Sequence, residues 1–239
     1  MFSGGRRELR VDGTFASVYA PGDATTGSVW DAIAAGVLAV APEDRRHVLL
    51  LGLGGGSAAR IVRALAPEAR ITGVEIDADV VTLARRWFDL DALRVETVVA
   101  DARAFVARTR ARYDVVLEDC FVGPERELAK PAGMPEPLLG RVAARLRPGG
   151  VVVSNTLDEH RAVAAALRAH FPRLVEIGIA GYDNRVLVGG PAGLGGAMLR
   201  RAVAQSPVLA PTLPVLSFRS RAASARASSG RSARSSRRP

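Results

Sequence analysis

The sequence predicts an α/β fold: a doubly wound, mostly parallel seven-stranded sheet with a terminal antiparallel hairpin, preceded by a short N-terminal β-hairpin. Three observations carry this. Apolar runs suited to strands buried on both faces recur at 47–51, 71–75, 94–98, 114–118 and 150–154, with helical patterns between them. The first run passes through Gly52-Leu53-Gly54-Gly55-Gly56-Ser57 into an Ala-rich helical segment and a second strand ending at Glu75. Two late apolar runs, 174–179 and 185–189, are joined by a connection too short for parallel neighbours, so they pair antiparallel.

Taken in order, residues 8–20 alternate loosely around Asp12-Gly13, a strong hairpin dipeptide. Residues 21–27 read as loop. A helical pattern follows from Ser28 to about Val40, with Ser28 as N-cap and Asp31 at N3 in a capping-box-like arrangement. Helices are then expected at 57–66, 78–88, 102–110, 136–146, 158–170 and 197–204. Pro207, Pro211 and Pro214 rule out a continuous helix after that. The division is an N-terminal hairpin segment (1–27), the α/β domain (28–190), a Pro-rich C-terminal extension (191–218) and a tail (219–239).

Seven of the nine net positive charges are arginines of that tail, which holds no acid, so the preceding 218 residues are close to neutral. Its Arg, Ser and Ala composition predicts disorder. The tail has the charge to bind nucleic acid or an acidic surface weakly, although no aromatic residue interleaves to stack on bases. Cys120 is the single cysteine, which excludes an intrachain disulfide and a cysteine zinc site. His47, His160 and His170 are not clustered, so no metal is expected. The N-terminus lacks an apolar signal segment and no run is long enough to span a bilayer; a cytoplasmic protein is the expectation.

Right-handed crossovers bring all the parallel strands' carboxyl ends to one edge, where Glu75, Asp101 and Asp119 fall. Ligands bind there in open α/β sheets. The glycine turn allows positive φ and close approach to the main chain, and the following helix points free N–H groups at the site. Glu75, about twenty residues beyond the turn, is placed to accept from ribose hydroxyls, as dinucleotide-binding folds do. This much implies a nucleoside-containing cofactor without choosing one. Asp101 also reads as the N-cap of the next helix. Asp119 reads equally as a loop carboxylate, and Cys120 as a small buried hydrophobe rather than a nucleophile. The loop 122–137 is expected to cover the site, with Lys130 as a solvated charge.

The segments LRVDG (9–13), VLLLGLGGGS (48–57), GVEIDADVVTLARRWF (73–88), VVADARAF (98–105), YDVVLEDCF (113–121) and LRPGGVVVSN (146–155) occur in an order and spacing that resemble the class I S-adenosylmethionine-dependent methyltransferase superfamily. Within it they are closest to the spermidine synthase-like, or polyamine aminopropyltransferase-like, branch. The resemblance implies a transferase with a Rossmann-like fold that binds S-adenosylmethionine or its decarboxylated form, and a small-molecule acceptor. It implies that Gly52, Gly54, Gly55 and Gly56 pass close to the cofactor, that Glu75 holds the ribose, and that Ile76 packs on the adenine. It further implies that Asp101 with Ala102 reads the adenine edge and that Asp119 is catalytic. A homodimer is compatible with it.

The sequence also departs from the branch. No second carboxylate follows Asp119 in a D-x-x-D run, the glycine turn lacks its aspartate, and Ala16 stands near an expected glutamine. A methyltransferase acting on a small molecule is the preferred reading. A polyamine aminopropyltransferase, which would imply polyamine biosynthesis, is the alternative within the family. A non-catalytic nucleotide-binding module with a basic tail, or a nicotinamide-dependent oxidoreductase, are the readings outside it.

Overall fold

The computed structural model describes residues 5–221. Strands β1 (Arg7–Val11) and β2 (Thr14–Tyr19) form the expected hairpin, with Asp12 and Gly13 both at positive φ. Two successive positive φ values match the right-handed twist of the strands they join.

Helix α1 (Val29–Ala35) passes into a 3-10 turn that ends at Ala39, so the predicted helix over 28–40 is α-helical only in its first half. Ser28 stands at the N-cap, but its hydroxyl makes no cap bond. The Asp31 carboxylate reaches back further. It accepts from the Thr26 N–H, the Thr26 hydroxyl and the Gly27 N–H, each at 2.8 Å. Asp31 is completely buried, and these three donors are what make that tolerable.

The main sheet holds β3 (His47–Leu51), β4 (Arg70–Glu75), β5 (Val95–Val99), β6 (Tyr113–Glu118), β7 (Leu146–Thr156), β8 (Arg173–Ile179), β9 (Arg185–Gly190) and β10 (Leu216–Arg221). The order across it is β10-β8-β9-β7-β6-β3-β4-β5. The five strands from β7 to β5 are parallel, while β9, β8 and β10 add antiparallel. The chain reverses its lateral direction at β3, whose neighbours are β4 on one side and β6 on the other.

Side chains along β3 alternate between two cores. Val48 and Leu50 pack with α2 (Ser57–Leu65) and α7 (Gly196–Gln205) on one face, joined by α1. Leu49 and Leu51 pack with α4 (Ala102–Arg108), α5 (Leu138–Ala143) and α6 (His160–His170) on the other. Helix α3 (Ala78–Trp87) lies over β4 and β5 and meets the hairpin through Val80 and Leu9. A strand buried on both faces has no polar side to show, which is why these runs read as continuous apolar sequence.

The structure differs from the sequence expectation in three places. The helix expected over 136–146 is the six-residue α5, because Arg145 and Leu146 already pair with β6: the Tyr113 N–H donates to the Arg145 carbonyl at 2.9 Å. The sheet has eight strands rather than seven. The eighth, β10, occupies the end of the expected Pro-rich extension and the first three residues of the expected disordered tail, pairing from Leu216 with Ile179 to Arg221 with Leu174. The prolines do exclude an α-helix there, but they end at Pro214, and the donors that a ladder needs resume immediately after it. The remaining tail, 222–239, lies outside the described residues. No helix among the described residues is long and apolar enough to cross a membrane.

Asp31→Ala should lower unfolding stability by about 1–3 kcal/mol in urea denaturation, since it leaves buried donors on Thr26 and Gly27 without a partner.

Candidate active site

Parallel pairing of β5, β4, β3 and β6 brings Glu75, Ile76, Asp101 and Asp119 to the same edge as the Gly52–Gly56 turn. The turn is shaped by what surrounds it. Gly52 has φ +84°, and a Cβ there would meet the Asp119 carbonyl oxygen at 2.5 Å. The Asp119 N–H in turn donates to the Leu51 carbonyl at 2.8 Å, so the ends of β3 and β6 are locked together.

The hairpin closes over the next part of the turn. The Gly55 N–H donates to the Ser17 hydroxyl at 2.7 Å, and the Ser57 hydroxyl both accepts from the Val18 N–H and donates to its carbonyl, each at 2.8 Å. A Cβ on Gly55 would lie 2.8 Å from that of Ser17. Any side chain at Gly55 would have to displace Ser17 or Phe88.

Glu75 is only partly buried, and its carboxylate is well supplied with donors. Oε2 accepts from the Gly54 N–H at 2.8 Å, while Oε1 accepts from Ile76 and Asp77 N–H at 2.9 and 3.2 Å. A carboxylate has about four lone-pair sites, so room is left for a hydroxyl donor. Beside it Ile76 is 65% exposed and Val99, at the end of β5, 52% exposed, which together make an apolar ledge at an otherwise polar edge.

Asp101 does cap α4, accepting from Arg103 and Ala104 N–H at 2.8 and 3.1 Å. The Arg103 guanidinium also grips it, with the shortest contact 2.7 Å to Oδ2, and holds its carboxyl down at about 2. Arg103 then donates to the Ala132 carbonyl at 2.5 Å, tying Asp101 to the 122–137 loop. Ala102 is the first residue of α4 and partly buried.

Asp119 is the centre of a network that the sequence did not disclose. The Trp30 indole N–H donates to Oδ2 at 3.1 Å, and the Asn155 amide donates to Oδ1 at 2.8 Å. Asn184, in the turn before β9, orients Asn155 by donating to its amide oxygen at 3.0 Å. Burial pushes the Asp119 carboxyl up to about 6, opposed by the bonds from Asn155 and Trp30 and by the charge of Lys130. Asn155 closes a motif already recognised as LRPGGVVVSN, but Trp30 is one apolar position within the 28–40 helical pattern, and nothing marked Asn184.

Lys130 is not a solvated loop charge. Its ammonium donates to Glu118 Oε1 at 2.7 Å, with the two side chains 2% and 0% exposed. Residues Val122 and Ala129 form an isolated antiparallel bridge that narrows the loop's neck and draws the next residue inward. Cys120 is partly buried, and burial together with the Glu118 charge pushes its thiol well up, away from thiolate chemistry. Among the described residues no group of three His, Cys, Asp or Glu is arranged to hold a metal.

A parallel sheet of this order, ending in antiparallel strands and carrying acids at three strand ends, is the class I S-adenosylmethionine-dependent methyltransferase-like fold. Within it the chain belongs to the spermine/spermidine synthase domain family, whose model matches residues 31–168, more than half of the sequence. A probable polyamine aminopropyl transferase of Bifidobacterium longum is 35% identical over 132 residues; the match covers 54% of this chain but only 28% of that protein. Human methyltransferase-like protein 13, solved in complex with SAH, superposes with a TM-score of 0.64 at 30% identity, covering 78% of this chain and 92% of that one. A probable spermidine synthase from Corynebacterium glutamicum superposes with a TM-score of 0.73 over 93% of this chain and 85% of its own; at 22% identity it speaks to the fold alone.

In a carboxyl 13C titration, Asp119 should change near pH 6, and Asn155→Ala should move that midpoint upward by removing a donor to the ionised form. Because its unfolded-state value is near 3.8, the native protein binds the extra proton between the two values. Asp119 therefore destabilises the fold above pH 6, and its share of stability should be regained as pH falls from about 6 towards 4.

Proposed function

We propose that the chain is an S-adenosylmethionine-dependent methyltransferase acting on a small, uncharged or singly charged acceptor. The observation that carries this is the acid count where the acceptor would meet the cofactor. Asp119 is the one carboxylate of its segment open to a ligand; Glu118 is fully buried and spent on Lys130, and positions 120–122 are Cys, Phe and Val. A polyamine is at least a dication at neutral pH, and desolvating it needs several opposing charges.

The residues present suit an adenosyl group. Glu75 would accept from a ribose hydroxyl at its remaining lone-pair site, and the Ile76–Val99 ledge would take the adenine face. Asp101 and the Ala102 backbone would read the adenine edge, with Arg103 sharing or yielding an oxygen. Gly52 and Gly54 keep the main chain low beneath the site, and the hairpin through Ser17 shields the turn from water. When bound, S-adenosylmethionine supplies an electrophilic methyl on a sulfonium.

The chain's own contribution is positioning and one proton. Each oxygen of Asp119 is occupied by a single neutral donor, which leaves lone pairs free. Above pH about 6 the carboxylate is ionised; it can orient an acceptor N–H or O–H and take the proton released as the new bond forms. Trp30, Asn155 and Asn184 hold it in place for that purpose. The family relationship also supports a second reading, aminopropyl transfer from decarboxylated S-adenosylmethionine, since relatives carry that name.

Calorimetry should give saturable binding of S-adenosylmethionine, with the decarboxylated form weaker. Glu75→Ala should weaken binding by about 10–100-fold, as expected for loss of charge-assisted hydrogen bonds. Tighter binding of the decarboxylated form, with spermidine formed from putrescine, would replace the first reading by the second.

A further inference from the structure

The Lys130–Glu118 pair lies beside Asp119 and takes no part in the transfer just described beyond its charge on that carboxyl. Glu118 ends β6 and is fully buried. Its Oε1 accepts from the Lys130 ammonium at 2.7 Å and from the Cys120 N–H at 2.8 Å; its Oε2 accepts from the Ser154 hydroxyl at 2.5 Å. The same ammonium donates to the Cys120 carbonyl at 3.2 Å and sits 4.0 Å from the centre of the Phe121 ring. The peptide groups on both sides of Cys120 are thus tied down, immediately after Asp119.

Lys130 is anchored through its backbone as well. Its N–H donates to Glu159 Oε1 at 2.9 Å, at the start of α6. One residue before it, Ala129 exchanges two bonds with Val122, at 2.9 and 3.0 Å. The stretch 123–128 is therefore a small closed loop whose neck is pinned from beneath.

We propose that Lys130 is a positioning residue: its buried ammonium, held between the Glu118 carboxylate and the Cys120 carbonyl, clamps the neck of the 122–129 loop to the end of β6 and so fixes the Asp119 carboxylate against Trp30 and Asn155. A buried ion pair replaced by neutral groups of similar shape often leaves stability unchanged, so stability alone does not account for this one. What the pair provides is direction. It holds one short turn at one height above the sheet, where an unclamped loop of this composition, GPEREL, would wander. The consequence for transfer rests on the reading that Asp119 faces the acceptor; the clamp itself does not.

The chain has two tryptophans, so its indole N–H region holds two resonances, and Trp30→Phe assigns the one bonded to Asp119. In the double variant Glu118→Gln/Lys130→Met, both charges go and the shape is kept. The Trp30 resonance should shift towards the position it takes in Asp119→Ala, while that of Trp87 stays put. A folded double variant with the Trp30 resonance unmoved overturns the proposal.

The wild-type protein gives an independent reading. Amides of Val122, Ala129 and Lys130 should exchange with solvent about a hundredfold more slowly than those of residues 125 and 126. Equal rates would mean that the neck opens freely and the clamp does not exist. Binding of S-adenosylhomocysteine to the wild type, measured alongside, tests the cofactor reading separately; its absence would sink that reading and leave the clamp result standing.

Discussion

The end of β3 and the end of β6 meet more closely than any side chain would allow, and the site is built on that meeting. Gly52 lets the Asp119 carbonyl come to where its own Cβ would be, and the Asp119 N–H bonds to Leu51. From this contact the glycine turn leaves in one direction and the Asp119 turn in the other. The sheet reverses its lateral order at β3, the kind of switch point beside which open α/β sheets bind their ligands. Backbone packing thus decides where the two turns leave the sheet before any functional side chain is considered.

Two kinds of carboxylate stand at this edge of the sheet, and their surroundings set them apart. Asp101 is held ionised by a neighbouring guanidinium and two N–H groups at a helix start. Asp119 is partly withdrawn from water and has only neutral donors in direct contact, so its proton affinity rises. The first is suited to a fixed hydrogen-bonding role. The second is suited to changing its protonation state close to neutral pH, which is what an acid–base group requires.

The parts legible in the sequence were those that depend on local pattern. Five strands, the glycine turn and the acids at strand ends all follow from apolar runs and their punctuation, although β5 proves to be a half-exposed edge strand and β7 starts four residues before its apolar run. What was not legible depends on long-range contact. Trp30 reaches Asp119 across 89 positions, and Ser17 meets Gly55 across 38. Lys130 could be read as a surface charge because nothing in its neighbours' composition shows that a bridge at Val122 and Ala129 turns it inward. Strand β10 escaped notice because it follows three prolines and its alternation is brief: only Leu216 and Phe218 turn inward before the run becomes Arg219-Ser220-Arg221.

That last strand has a consequence for how the molecule meets copies of itself. Without β10 the sheet would end at β8, whose Leu174, Val175, Ile177 and Ile179 are buried and whose outer backbone groups would be an open template for strand addition. β10 covers them and becomes the edge in their place. It presents Arg219, Ser220 and Arg221, all polar and largely exposed, with Arg221 bent back onto Glu176 at 2.7 Å. A second copy pairing edge to edge would have to bring arginines together, so the basic stretch that looked like a mere appendage begins as a guard on the sheet against fibrous self-association.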